Sequence, residues 1–230
     1  MNIAILNLCE PYPILDQHGT AAELIEQWIS KAFNEAIFTE LTIAMGEALP
    51  EPQSFDGYIV SGSEKGVYDE AVWIEPLKVF LRQLRKAKIP VFGICFGHQI
   101  MAEAYGGKAV KADKGFVVGV QQYTEYDQNY NAQAMHRDQV VVVPYSATVT
   151  ASASYCPVAA LEYDFPARSV QFHPEFQQPF VNAAIDDFED SELDSNEAAV
   201  ARTSLRNNSV ETSLYAQEVA TFFRQTMRTT

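Results

Sequence analysis

Cys95 sits at the centre of Gly93-Ile94-Cys95-Phe96-Gly97, a glycine-x-nucleophile-x-glycine pattern between an apolar run of strand character and a segment of helical period. A strand-to-helix turn this sharp strains the backbone of its central residue, and the flanking glycines leave room for it. The sulfur would then stand at a helix N-terminus, where free N–H groups and the positive dipole end favour the thiolate, the attacking species. The Phe96 N–H would point to where an oxyanion forms. A thiol nucleophile needs a base, and of His18, His98, His136 and His173 the last stands in the right company. Gln171-Phe172-His173-Pro174-Glu175 follows a strand candidate. Residues two apart in an extended chain point the same way, which puts Glu175 on the side His173 uses. A carboxylate there orients the imidazole and stabilises its charged form. Taken singly, Cys95 fits a structural cysteine in a tight turn and His-Pro-Glu fits a surface turn. Together they point to covalent catalysis by a cysteine.

The elements that must bring these groups together alternate between two periods. Ile3 to Leu8 reads as a buried strand, and Thr20-Ala21-Ala22-Glu23 as a capping box opening a helix whose face is Leu24, Ile25, Trp28, Ile29, Ala32 and Phe33. Ile37 to Ile43 and Phe55 to Val60 are further strand candidates, and Ile74, Leu77, Leu81 and Leu84 mark a second helix. Pro90 to Ile94 is the strand that leads into Cys95, and Ile100, Met101, Ala104 and Tyr105 hold helical spacing until Gly106-Gly107. This alternation predicts an α/β fold with a mostly parallel sheet covered by helices on both faces. From Lys108 to about Val149 the texture turns Val- and Thr-rich without helices, which predicts antiparallel hairpins extending or flanking the sheet. Ala159 to Tyr163 and Ser169 to Phe172 are the last strand candidates, and Tyr215, Val219, Phe222 and Phe223 suggest a closing helix. The seven acidic residues between Asp186 and Glu197, with no basic one among them, read as solvated surface or a mobile connection.

Composition excludes several classes. The 230 residues suit one domain, with 16 Lys+Arg against 30 Asp+Glu giving 16 − 30 = −14, which disfavours nonspecific binding to nucleic acid. No apolar run reaches the ~20 residues of a membrane span, and the first ten residues lack the basic flank and cleavage site of a signal peptide. Three widely spaced cysteines, Cys9, Cys95 and Cys156, favour a reduced, cytoplasmic setting. Cys9 and Cys156 read as small core residues, His18 as surface, and His98 as turned about a hundred degrees around its helix from Cys95. His136, Asp138 and His173 could be imagined as a metal trio, but a deprotonated cysteine accounts for the pattern with no metal and no cofactor.

Taken together, Gly93 to Gln99 and Gln171 to Phe176 resemble the class I glutamine amidotransferase family, within it the free-standing domains similar to the glutaminase part of GMP synthetase. Phe55 to Ser63 resembles the family's oxyanion loop, and Met135-His136-Arg137-Asp138 its substrate-side segment. The resemblance covers about residues 1 to 180, leaving 181 to 230 as a C-terminal helical region of one domain spanning 1 to 230. It implies a flavodoxin-like sheet and a Cys-His-Glu triad that hydrolyses a γ-glutamyl amide through a cysteinyl thioester. Carried over by position, Cys95 is the nucleophile, His173 the base and acid, and Glu175 its orienting partner. Gly62 and Phe96 supply oxyanion N–H groups, Gln99 a side-chain contact to glutamine, and Met135 and His136 backbone contacts to the α-amino and α-carboxylate ends. Ser63 and Arg137 stand where the family usually has glycine, so the outer wall of the pocket is expected to differ. The chain has no ATP-binding glycine-rich loop, so released ammonia would pass to a separate synthetase subunit. The alternatives are a self-contained γ-glutamyl peptidase and a non-catalytic relative that binds a small ligand or a partner protein.

Overall fold

The computed structural model describes residues 1–113 and 115–227. Its strands are β1 Asn2–Leu6, β2 Ile37–Leu41, β3 Gly57–Val60, β4 Val91–Ile94, β5 Lys108–Lys111, β6 Val117–Glu125, β7 Gln128–His136, β8 Asp138–Val142, β9 Ala147–Ala153, β10 Cys156–Tyr163 and β11 Ala167–Val170. Its α-helices are α1 Pro13–Asp16, α2 Ala21–Ile29, α3 Ile74–Ala87, α4 Phe96–Ala104, α5 Gln178–Phe188, α6 Ser195–Asn207 and α7 Ser213–Met227. Nine strands form one sheet in the order β2-β1-β3-β4-β11-β10-β9-β6-β7, and β5 and β8 form a separate antiparallel pair. The first five strands are parallel and the rest of the large sheet is antiparallel. The expected α/β class and the antiparallel extension are both present.

The apolar sequence runs become central strands because both of their faces are covered. Along β1, Ile3 and Ile5 face one layer while Ala4 and Leu6 face the other, as a period of two requires. The first layer is built from Ile25, Trp28 and Ile29 of α2 and Val219, Ala220 and Phe223 of α7. The opposite layer comes from Leu77, Leu81 and Leu84 of α3 and Ile100 and Met101 of α4. The Thr20 capping box forms as read, with the hydroxyl accepting the Glu23 N–H and the Glu23 carboxylate accepting the Thr20 N–H. The closing helix α7 packs so tightly that a Cβ on Gly57 would stand 2.8 Å from Phe223 Cε1. Among the described residues no helix is long and apolar enough to cross a membrane.

Three features depart from the sequence reading. β7 and β9 carry no signal of their own, because Gln128-Asn129-Tyr130-Asn131 and the Ala, Ser and Thr of β9 show no apolar alternation; pairing with β6 and β10 defines them. The acidic stretch is solvated, as one of its two readings expects, but is not a free connection: it closes α5 and opens α6, with Asp194 accepting the Asn196 and Glu197 N–H groups. Asp186 and Glu189 both bond Arg202, and Glu192 bonds Arg137. The third is α6 itself. It lies against β6 at backbone distance, where a Cβ on Gly119 would come 2.5 Å from Ser204 Oγ, and that hydroxyl accepts the Val120 N–H.

Candidate active site

At the end of β4 the chain turns through Cys95 at φ 53°, ψ −104° and enters α4. This left-handed φ is costly for a residue with a Cβ and is held by neighbours. The Cys95 N–H donates to Val170 O at 2.8 Å, and the Gly97 N–H donates to Ser61 O at 3.1 Å, tying the turn to both flanking strands. The two glycines serve close approach. A Cβ on Gly93 would stand 2.5 Å from Met101 Sδ, and one on Gly97 would stand 2.3 Å from Val60 O.

His173 lies beyond β11, held there by its N–H donating to Gln133 O at 2.8 Å. Its Nδ1 lies 2.7 Å from Glu175 Oε1, and the Cys95 sulfur acts on the same ring electrostatically. Glu175 is reached through a turn after Pro174 and not by the strand alternation expected from sequence, because regular pairing ends at Val170. Both side chains are buried, His173 at 4% and Glu175 at 3% exposure. Burial pushes the imidazolium down, but the Glu175 carboxylate and the Cys95 sulfur outweigh it and its pKa is pushed up to about 10. The ring stacks on Phe176 with centroids 3.9 Å apart.

The loop after β3 completes the enclosure. A Cβ on Gly62 would be 3.2 Å from His173 Cε1 and 3.7 Å from Cys95 Cβ, so this backbone lies directly against both groups. Ser61 Oγ accepts the Leu8 N–H and donates to Gly62 O at 2.8 Å, and the Cys9 thiol donates to the same carbonyl at 3.3 Å. Ser63 donates from Oγ to Leu8 O at 2.8 Å. Cys9 is therefore half-buried beside the loop, where sequence alone reads it as core; Cys156 is buried. Burial pushes both thiols up, Cys156 to about 12.

On the opposite side, Met135 O is 3.8 Å from Cys95 Sγ. Gln99 Nε2 donates to Asp138 O and to Gln171 Oε1, each at 3.1 Å. Gln171 has no role assigned in the sequence reading, though its place two residues before His173 is the signal that it shares a face with it. His136 is buried between Asp138 O and the Tyr155 hydroxyl, and burial holds its imidazolium down at about 3. Arg137 pairs with Glu192 and lies 4.8 Å over the Phe116 ring. Phe96 N–H heads α4 beside the sulfur.

His98 is turned away, with Nδ1 2.9 Å from Ser169 Oγ and Nε2 3.1 Å from Val158 O, and burial holds its imidazolium down at about 4. It is a neutral fixture between α4 and β10–β11. His18 is half-buried with its ring edge on Phe180. No group of three or more His, Cys, Asp or Glu side chains among the described residues is arranged to hold a metal ion.

A cysteine strained at a strand-to-helix turn, a buried imidazole beside it and a carboxylate behind that imidazole have the parts of a thiol acyl-transfer site. Known proteins share parts of this sequence and its fold. The chain is 31% identical over 147 residues to γ-glutamyl peptidase 3 of Arabidopsis thaliana, an overlap of 57% of this chain and 59% of that protein. It is 31% identical over 138 residues to one subunit of the glutamine-hydrolysing GMP synthase of Methanocaldococcus jannaschii, covering 56% and 69% of the two chains. The chain thus spans about three fifths of the length of the γ-glutamyl peptidases it matches. The crystal structure of a glutamine amido transferase from Methylobacillus flagellatus shares the fold with a TM-score of 0.76 at 15% identity, over 97% of this chain and 94% of that one. Residues 14–185, which carry the turn at Cys95, the Gly62 loop and His173 with Glu175, match the family model of glutamine amidotransferase class-I, and the chain belongs to that family.

Proposed function

We propose that the protein hydrolyses the γ-amide of glutamine through a cysteinyl thioester, with Cys95, His173 and Glu175 as its catalytic triad in one domain spanning residues 1 to 230. The observation that carries this reading is the buried imidazole hydrogen-bonded to Glu175, with the Gly62 backbone packed against both that ring and Cys95. Thiolate Cys95 attacks the γ-carbonyl carbon, and the oxygen takes up charge against backbone N–H groups at Gly62 and Phe96. With Nδ1 engaged by Glu175, Nε2 of the imidazolium protonates the departing nitrogen. The C–N bond breaks, ammonia leaves, and neutral His173 then takes a proton from the water that cleaves the thioester. Gln99, Met135 and His136 line the glutamyl end of the substrate, and no cofactor enters the cycle. Ammonia passes to a separate synthetase subunit, by analogy with the GMP synthase relative.

A second reading, cleavage of γ-glutamyl peptides by the chain acting alone, is favoured by the similarity to γ-glutamyl peptidase 3. The chemistry is the same with an amine as leaving group. Ammonia release from free glutamine, measured beside cleavage of a panel of γ-glutamyl dipeptides, separates the two. A kcat/KM for glutamine equal to or above that for the dipeptides is expected. A preference for dipeptides of about a hundredfold, some 2.7 kcal/mol in the transition state, would replace the first reading by the second. Turnover of neither would leave a ligand-binding relative.

The Glu175→Gln variant tests the role of the carboxylate. Glu175 is the principal group holding His173 above the value burial imposes, so its neutralisation lowers the imidazolium pKa. The alkaline limb of kcat/KM, expected near pH 10 in the parent, should move to lower pH, and kcat/KM should fall by about 10³-fold. A limb that stays in place would remove Glu175 from the triad.

A further inference from the structure

We propose that Gln171 is a positioning residue for the nucleophile: its side-chain amide, held in one orientation by Gln99, donates an N–H to the Cys95 sulfur and favours the thiolate. This rests on the reading of Cys95 as nucleophile.

Gln171 is fully buried, with Nε2 3.6 Å from Cys95 Sγ and Oε1 3.1 Å from Gln99 Nε2. The two ends of a carboxamide have the same shape, so its polarity must be read from its partners. Here the reading starts at a group that can only accept, the Asp138 carbonyl. Gln99 approaches that carbonyl at 3.1 Å, so it must present its nitrogen, and the same nitrogen meets Gln171. Gln171 must answer with its oxygen, and its NH₂ is left facing the sulfur.

The other side of the carbonyl obeys the same logic. His136 Nδ1 lies 3.0 Å from Asp138 O and must carry the proton, so Nε2 accepts from the Tyr155 hydroxyl at 3.3 Å. Tyr155 in turn takes a hydrogen bond from Tyr123 at 2.5 Å. Each donor in this buried network is fixed by the next acceptor. Flipping the Gln171 amide would set two NH₂ groups against each other where water cannot reach, a costly arrangement.

An N–H aimed at sulfur is a weak partner for a thiol and a much stronger one for a thiolate. The titratable groups facing Cys95 are Cys9 after β1, Tyr155 and Cys156 at the start of β10, and His173 and Glu175 after β11. Burial holds the Cys9, Cys156 and Tyr155 protons in place, and Glu175 is engaged by His173. The imidazolium and the Gln171 amide are therefore the side chains in this set that favour negative charge on the sulfur.

The test is the pH dependence of Cys95 alkylation by iodoacetamide in the full chain without substrate, followed by mass spectrometry. Gln171→Leu removes the donor; Gln171→Glu keeps the acceptor toward Gln99 and turns a carboxylate oxygen to the sulfur. Both are expected to raise the alkylation midpoint by about one pH unit or more, with kcat down about tenfold and KM within about threefold. Gln99→Leu, which frees the Gln171 amide, should shift the midpoint in the same direction, and adding it to Gln171→Leu should change nothing further. An unmoved midpoint in Gln171→Leu, or additive shifts in the double variant, would overturn the proposal. If neither Gln171 variant folds, an unmoved midpoint in Gln99→Leu does the same. Failure of the underlying reading looks different: Cys95 in the parent would alkylate no faster than Cys9 or Cys156.

Discussion

Cys95→Ser is expected to lower turnover of γ-glutamyl substrates by 10⁴-fold or more, on the order of the loss when a nucleophile is removed from a triad. The change is small in volume, and the strained turn is retained because its bonds are made by backbone: Cys95 N–H to Val170 O and Gly97 N–H to Ser61 O do not involve the side chain. What is lost is acidity. A serine hydroxyl holds its proton at neutral pH far more firmly than a thiol, so no anionic nucleophile stands ready in the variant. Thermal unfolding should therefore stay within a few degrees of the parent while ammonia release disappears. Residual activity above about one part in a hundred would mean that another group attacks the substrate.

His173→Ala should have a double effect. Turnover should again fall by on the order of 10⁴-fold, since in the proposed cycle the same ring serves as acid and base in the two half-cycles. Stability should fall as well. His173 and Glu175 are both almost wholly buried, and Glu175 Oε2 already has no hydrogen-bond partner among the described residues. Removing the imidazole leaves a buried carboxylate with its Oε1 unpaired too, a loss of about 3 kcal/mol. The folded pKa of His173 is raised from 6.5 to about 10, so its ionic contribution is fully present below about pH 6.5 and is lost as pH rises through about 10. The gap in Tm between parent and variant should shrink from pH 7 to pH 10. An equal gap at both would mean that packing on Phe176 dominates, and no gap at pH 7 would mean that the ring contributes nothing to the fold.

Much of this molecule was legible in the sequence because the signals are local. Apolar runs such as Ile3 to Leu8 and Val91 to Ile94 bury both faces of a strand wherever they lie in a parallel sheet, and Thr20 with Glu23 caps its helix without help from the rest of the chain. The turn at Cys95 announces itself through its two glycines, which admit Met101 and Val60 at distances no side chain would allow. The family motifs follow from these constraints, which is why four short stretches sufficed to identify the fold.

What the tertiary structure decided concerns partners far apart in the chain and groups whose chemistry depends on burial. The strand character of β7 and β9 comes from pairing, not composition, and β7 is what holds the His173 backbone in place through Gln133. The turn at Pro174, and not strand alternation, delivers Glu175 to the imidazole. Arg137 finds Glu192 fifty-five residues away because α6 folds onto β6, an arrangement that no periodicity announces. Gln171 and Gln99 are ordinary polar residues in a sequence. Sealed from water against one carbonyl and one sulfur, their hydrogen bonds acquire direction, and direction is a property of the assembled site alone.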